Sequence, residues 1–180
     1  MHIEIIAGSP RKESLSLRVA KHLLATMHEQ TTHYVGLISL NEVSFPFIEK
    51  VWQSAADAPA ELVQVAARMF AAEAFIVVSP EYNGSYSPAL KNLFDHFPKQ
   101  NRKPFGLATS SDGAFGGMRA AQQLLLMVPA LRGIPSPTLL IVPEVDKKFD
   151  EKGNLQVPAF RSKIDDFIKD FLWLAEKLHG

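Results

Sequence analysis

Ile3-Glu4-Ile5-Ile6-Ala7, followed directly by Gly8-Ser9-Pro10-Arg11-Lys12-Glu13-Ser14-Leu15-Ser16, is the stretch on which the reading of this chain turns. An apolar run gives way to a hydroxyl-rich turn. The turn gives way to a helical pattern in which Leu15, Val19, Leu23, Leu24 and Met27 recur at three- and four-residue spacing. Strand, turn and helix in that order build an anion site, because the start of a helix offers unpaired N–H groups and the positive end of its dipole. Ser9, Ser14 and Ser16 add hydroxyl donors, and Arg11 adds a planar guanidinium suited to a phosphate. A serine that merely caps the helix accounts for the same residues equally well, so the remainder of the chain has to decide.

Outward from this stretch, apolar runs alternate with helix-period segments. Ile3–Ala7 reads as a first strand, the first helix ends near Gln30, and Tyr34–Leu40 reads as a second strand. A long connection over 41–58, with Phe45, Phe47 and Trp52, precedes a helix expected from Pro59. Ala74–Ser79 is almost continuously apolar, as a strand buried on both faces is. Ser87 and Pro88 suit the N-cap and first position of a third helix. Pro104–Thr109 and Thr138–Val142 supply two more strands, separated by the turn Gly113–Gly117 and a helix running to Leu131. Phe160–Leu178 is the last helix. Strands that each lead into a helix imply a parallel sheet covered on both faces. The expected architecture is one α/β domain over 1–180, a flavodoxin-like three-layer sandwich with a five-stranded parallel sheet of order 2-1-3-4-5. In such sheets ligands bind beyond the carboxyl ends of the strands, so the loops after strands 1, 3 and 4 should share one site.

Composition removes several function classes. Lys+Arg and Asp+Glu number 19 each in 180 residues; this balance argues against a nucleic-acid binder and gives no general electrostatic drive toward a membrane surface. No cysteine is present, which excludes disulfides, thiolate metal sites and cysteine nucleophiles, and is compatible with the cytoplasm. No targeting segment and no apolar run long enough for a membrane span is read. The six histidines show no metal-site spacing with a carboxylate partner, and no Gly-x-Ser-x-Gly motif suggests a hydrolase.

The three loops carry different chemistry. The first is neither a Walker A loop nor a Gly-x-Gly-x-x-Gly fingerprint; hydroxyls plus an arginine suit a phosphate monoester such as that of FMN. The third, Ser79-Pro80-Glu81-Tyr82-Asn83-Gly84-Ser85-Tyr86-Ser87, offers aromatic faces and backbone donors at Glu81, Tyr82 and Asn83, as a planar heteroaromatic ring needs. The fourth, Thr109-Ser110-Ser111-Asp112-Gly113-Ala114-Phe115-Gly116-Gly117, has glycines that let a ligand approach the backbone. A surface turn and a flexible helix lead-in are the plain alternatives.

Taken together, these stretches resemble the NADPH-dependent FMN reductase family, which includes flavin, quinone, chromate and azo reductases of flavodoxin-like fold. The resemblance rests on Gly8–Ser14, on Pro80-Glu81-Tyr82-Asn83-Gly84-Ser85 followed by Leu90-Lys91-Asn92 and Asp95, on Ser110, Gly113 and Gly116-Gly117, and on Phe149–Leu155. It implies that Ser9, Arg11, Ser14 and Ser16 hold the FMN phosphate. It implies equally that Pro80, Glu81, Tyr82 and Asn83 line the isoalloxazine ring, with Ser110 and Gly113 flanking it. It further implies a homodimer or homotetramer, with Lys91, Asn92 and Asp95 structural or interfacial. Ser16 stands where many members have Asn, Ser87-Pro88 where they have Pro-Gly, and His96 where Trp is common. Tyr86 replaces an aliphatic residue and is expected beside the ring or at the substrate mouth.

The reading that follows is an oxidoreductase using NADPH or NADH, bound FMN and a small-molecule acceptor: a quinone, free flavin, azo compound or metal oxyanion. One site serves donor and acceptor in turn, so no side-chain acid or base is expected. A flavodoxin-like electron carrier and a non-catalytic FMN-binding sensor are the rival readings, the first disfavoured by the zero net charge.

Overall fold

A computed structural model describes residues 1–179. Its sheet contains β1 (His2–Ala7), β2 (Tyr34–Ser39), β3 (Ala74–Pro80), β4 (Pro104–Ser110) and β5 (Ile134–Val142), all parallel, in the order β2-β1-β3-β4-β5. This is the expected doubly wound topology. The helices are α1 (Leu15–Gln30), α2 (Val63–Ala71), α3 (Pro88–Asp95), α4 (Met118–Ala130), the single turn α5 (Val145–Lys148) and α6 (Arg161–His179).

Alternate residues of the strands feed two cores. Ile3, Ile5, Ile76 and Val78 face α1 and α6, meeting Val19, Leu23, Phe167 and Phe171. Ile6, Phe75, Val77, Phe105 and Leu107 face α2, α3 and α4, meeting Met69, Phe94, Leu124 and Val128. Because β3 contributes to both, six of its seven residues are fully buried, which is why Ala74–Ser79 lacks any polar alternation.

Several boundaries shift by a residue, and three of the differences have a definite local form. Pro59 opens a short 3-10 turn over Ala60–Leu62, and the α-helix proper begins at Val63. β5 starts at Ile134 and not at Thr138: Pro135 and Pro137 give no sheet donor, and an edge strand tolerates that where a central one does not. Phe160 ends a 3-10 turn, and the last helix begins at Arg161.

The 41–58 connection folds back on its own chain. Trp52 is buried with its ring 4.5 Å from that of His96, and its amide donates to the His96 carbonyl at 2.8 Å. Asn92 donates its side-chain amide to the Phe45 and Pro46 carbonyls, and Lys91 pairs with Asp95 one turn on, so these residues serve the structure. Phe47 alone among the segment's aromatics projects outward, at 93% exposure.

The amino end of the sheet is closed by a polar triad. Glu4 is completely buried on β1 and receives a two-pronged contact from Arg68 of α2, at 2.9 and 2.5 Å. His2 Nε2 lies 2.7 Å from the same carboxylate. The hydrogen bonds that Arg68 itself donates to Glu4 raise the Arg68 pKa above its ordinary value. Gly36 of β2 is the residue this arrangement demands, because a Cβ there would stand 2.6 Å from a Glu4 oxygen.

Candidate flavin site

At the carboxyl end of the sheet, the loops after β1, β3 and β4 meet. Ser14 is the N-cap of α1, its hydroxyl accepting from the Leu17 amide at 3.1 Å, and it also contacts the buried Ser16 hydroxyl at 3.1 Å. The capping alternative for Ser14 therefore holds, and it does not compete with anion binding. One cap satisfies one amide, while those of Lys12, Glu13, Ser14, Leu15 and Ser16 have no partner among the described residues. Gly8 is pinned by its own amide to Val78 and by its carbonyl to the Ser87 hydroxyl, which caps α3 as well. A Cβ at Gly8 would meet the Val78 carbonyl at 3.3 Å, so this turn depends on a close approach.

The third loop is a tight hairpin. Tyr82 and Ser85 exchange backbone hydrogen bonds of 2.8 and 3.0 Å around Asn83 (φ 50°) and Gly84 (φ 83°). Two successive left-handed residues are what Asn-Gly supplies in such a turn. The Tyr82 amide is thereby consumed, so of the three edge donors expected from sequence only those of Glu81 and Asn83 are without a backbone partner. The Tyr82 hydroxyl lies 3.2 Å from Ser9 Oγ, and the Arg11 guanidinium stacks 4.5 Å from the centre of the Tyr82 ring. Arg11 and Tyr82 thus hold the first and third loops together.

The fourth loop is shaped by Gly116 and Gly117, both left-handed, with the Thr109 hydroxyl donating to the Gly116 carbonyl at 3.0 Å. Gly117 occupies the N-cap of α4 and has no side chain to cap it. The cap comes from Glu81, whose carboxylate accepts from the Arg119 and Ala120 amides at 3.1 and 3.4 Å. Arg119 lies 3.7 Å from the other carboxylate oxygen. No local pattern announces a cap delivered from 38 residues away.

All ten residues singled out from sequence line two contiguous clefts. One, of about 120 Å³, is bounded by Ser9, Arg11, Ser14, Ser16, Pro80, Glu81, Tyr82 and Ser110. The other, of about 750 Å³, is bounded by Glu81, Asn83 and Gly113, together with Phe115, Arg119 and Gln122, which sequence reading had not selected. Glu81, Ser111 and Asp112 border both. Tyr86 is a correction: it borders neither cleft, but lies half-buried between α3 and α4, where burial pushes its hydroxyl pKa up. The hairpin turn reverses the chain after Asn83-Gly84 and sends Tyr86 away from the ring position.

Phosphate and ring could be held here on the protein's own terms. The unpaired amides of Lys12–Ser16 beside Arg11 suit a phosphate. The Ser110 hydroxyl is buried with no partner, an arrangement that favours a ligand acceptor or donor beside it. A Cβ on Gly113 would meet nothing closer than 3.7 Å, which leaves room for a ring to approach the backbone.

Comparison with known proteins gives the family and the fold. The model of the NADPH-dependent FMN reductase family matches residues 1–147. An FMN-dependent NADPH-azoreductase of Staphylococcus aureus is 30% identical over 162 residues, covering 83% of this chain and 81% of the relative. Its counterpart from Staphylococcus saprophyticus is 34% identical over 110 residues, 55% of this chain and 58% of the relative. Among solved structures, the flavoenzyme NAD(P)H:(acceptor) oxidoreductase FerB of Paracoccus denitrificans superposes with a TM-score of 0.79 at 21% identity, covering 97% of each chain. A flavodoxin variant of Pseudomonas aeruginosa superposes at 0.59 with 17% identity, covering the whole of both chains, and like FerB speaks for the fold alone. The fold is flavodoxin-like, and the matching family is one of flavin-dependent oxidoreductases using reduced nicotinamide. The chain belongs to the NADPH-dependent FMN reductase family, with FMN and NADPH as its cofactors.

Proposed function

We propose that the paired clefts hold FMN with its phosphate on the first loop and its ring between the third and fourth, and that the protein reduces a small planar acceptor in a ping-pong cycle. The observation that carries this reading is the convergence of unfilled donors, the Lys12–Ser16 amides and the Ser110 hydroxyl, on one pair of joined clefts. Bound FMN would supply two-electron transfer from a reduced nicotinamide to an acceptor. Arg11 and the first-turn amides neutralise the phosphate. Tyr82, held by Ser9 and Arg11, and Glu81, held by α4, fix the third loop so that the ring position is defined before ligand arrives.

No side chain is assigned proton transfer at a reacting atom. The 750 Å³ cleft, walled by Phe115 and Met118, is roomy and apolar enough for an aromatic acceptor of the quinone, flavin or azo class. Met118 and Leu126 of α4 and Phe115 in the loop before it are exposed, which supports a homodimer or homotetramer that covers them. The requirement for a reduced nicotinamide pool supports a cytoplasmic place. Among the described residues, no helix is long and apolar enough to cross a membrane.

The test is an absorption spectrum of protein saturated with FMN and freed of excess, recorded before and after anaerobic NADPH, then after a quinone or azo dye. A retained flavin band that bleaches with NADPH and returns with acceptor is expected, with parallel double-reciprocal lines in the steady state. A retained band that neither coenzyme bleaches would point to a carrier or sensor, and intersecting lines would remove the ping-pong cycle.

A further inference from the structure

A second groove, of about 410 Å³, lies against the first loop on the α1 side, bordered by Lys12, Arg18 and Lys21 together with Glu13 and Glu151. Its position and its charges are both fixed by the fold. Arg18 and Lys21, three residues apart on α1, project from the same helix face. Arg18 donates to the Phe149 carbonyl at 3.1 Å through one of its five N–H groups. The far wall is the strap 149–155, closed by a bridge between Phe149 and Leu155 and stiffened by Asp150, whose carboxylate accepts from the Lys152 and Asn154 amides.

Gly153 (φ 89°) clamps the strap onto α1: its carbonyl lies 2.9 Å from His22 Nδ1, and a Cβ there would stand 2.8 Å from the Arg18 carbonyl. Lys21 likewise reaches the Glu151 carbonyl, at 3.5 Å. Of the other cations near this end of the sheet, Arg119 faces Glu81 and Lys147 is paired with Glu144, while Arg11, stacked on Tyr82, and Lys148, donating to the Pro143 carbonyl, do not border the groove. Among the described residues, Lys12, Arg18 and Lys21 have no carboxylate at salt-bridge distance.

We propose that this groove takes the 2′-phosphate of NADPH, through Lys12, Arg18 and Lys21, and so sets the preference for NADPH over NADH. The inference rests on the flavin site proposed above. The groove shares Glu13 and Ser14 with the cleft assigned to the phosphate, so a dinucleotide reaching from the ring position across the first loop would meet Lys12, Arg18 and Lys21 there. The ligand chemistry is a phosphate monoester, which FMN also carries. FMN's phosphate is already served by the amides of Lys12–Ser16 and by Arg11, and this assigns the groove to the coenzyme.

The experiment compares kcat/KM for NADPH and NADH in wild type, in Arg18→Gln and in Lys12→Ala/Lys21→Ala, alongside FMN dissociation constants. Direct binding of adenosine 2′,5′-bisphosphate against 5′-AMP is measured in the same proteins. The NADPH:NADH ratio is expected to fall about tenfold or more in Arg18→Gln, the loss of a charge-assisted contact, and the discrimination between the two nucleotides to shrink in step. Glu151→Gln should raise the ratio, because it removes the opposing charge from the same groove, and added salt should lower it. An unchanged ratio with weakened FMN binding would assign the groove to FMN's phosphate and overturn the proposal. Equal losses for NADPH and NADH would also overturn it. If neither coenzyme bleaches wild-type flavin, the reductase reading fails first; the nucleotide discrimination then still decides whether the groove recognises a 2′-phosphate.

Discussion

At the amino end of the sheet, the Glu4 carboxylate is wholly buried but contacted twice by Arg68 and once by His2. At the carboxyl end, the amides of Lys12–Ser16 and the buried Ser110 hydroxyl have no partner among the described residues. Both ends concentrate polar groups next to an apolar core. One answers them from within the chain, and the other leaves them open. A closed polar cluster holds elements in place; an open one is a place for a ligand, because unmet hydrogen-bonding capacity is what a ligand can fill. Openness by itself is a weaker sign than openness in a cleft. Ser136 of β5 and His22 of α1 also have unpartnered buried atoms, yet neither borders the two clefts assigned to flavin.

Breaking the closed end should have the largest effect. Arg68→Ala leaves the Glu4 carboxylate buried without its main partner, and about 3–5 kcal/mol of folding stability should go with it. Urea unfolding monitored by circular dichroism reads this directly. Glu4→Gln/Arg68→Met removes the uncompensated charge and should recover most of the loss. If Arg68→Ala unfolds no more easily than wild type, the triad is not what closes that end. FMN affinity of the folded protein should change little in either variant, since no triad residue borders the clefts.

At the open end, the dominant cost should fall on the ligand. Arg11→Ala removes a charge-assisted phosphate contact and the stack on Tyr82, and should weaken FMN binding by about 1.5–3 kcal/mol. Fluorescence titration with FMN measures it, and the unfolding midpoint of the ligand-free protein should barely move. Equal losses of affinity and ligand-free stability would place Arg11 with the structural residues and blur the contrast between the two ends.

Glu81 joins the two behaviours, since it borders both clefts and also caps α4. Glu81→Ala should cost about 0.5–2 kcal/mol of stability through the lost cap, and FMN affinity should fall as the third and fourth loops separate. Glu81→Gln keeps an acceptor for the Arg119 and Ala120 amides, and should recover most of both losses. Affinity that stays low in Glu81→Gln while stability returns would mean that the carboxylate charge, and not the cap, serves the ligand.

What sequence made legible follows the range of the interactions. The strands and helices were readable because burial marks consecutive residues, as a continuous apolar run at Ala74–Ser79 and as a three- and four-residue period along α1, and their alternation implied the strand order. The Asn83-Gly84 turn and the caps at Ser14 and Ser87 were readable because a dihedral or a hydroxyl is needed at one position. The ten site residues were grouped with the help of a family resemblance joined to the rule that ligands sit beyond strand ends. The Glu81 cap on α4, the Glu4–Arg68 pair and the contact of Trp52 with His96 span 38 to 64 residues and carry no local mark. Tyr86 went wrong for a related reason: its distance along the loop suggested the ring, while the hairpin turned the chain away.

The smallest predicted effect separates the two kinds of polar group most sharply. Ser110 Oγ is buried without a partner, so in the ligand-free protein its hydroxyl is a burden. Ser110→Ala removes that hydroxyl at nearly constant shape, and the ligand-free protein should become slightly more stable or stay the same. FMN binding should weaken by about 0.5–1.5 kcal/mol, the net worth of one hydrogen bond. At the amino end no substitution should show this crossing of signs, because removing one member of a satisfied cluster strands the others. If Ser110→Ala instead destabilises the ligand-free protein and leaves FMN affinity alone, the hydroxyl has a structural partner in solution. The carboxyl end would then be open only at the first loop.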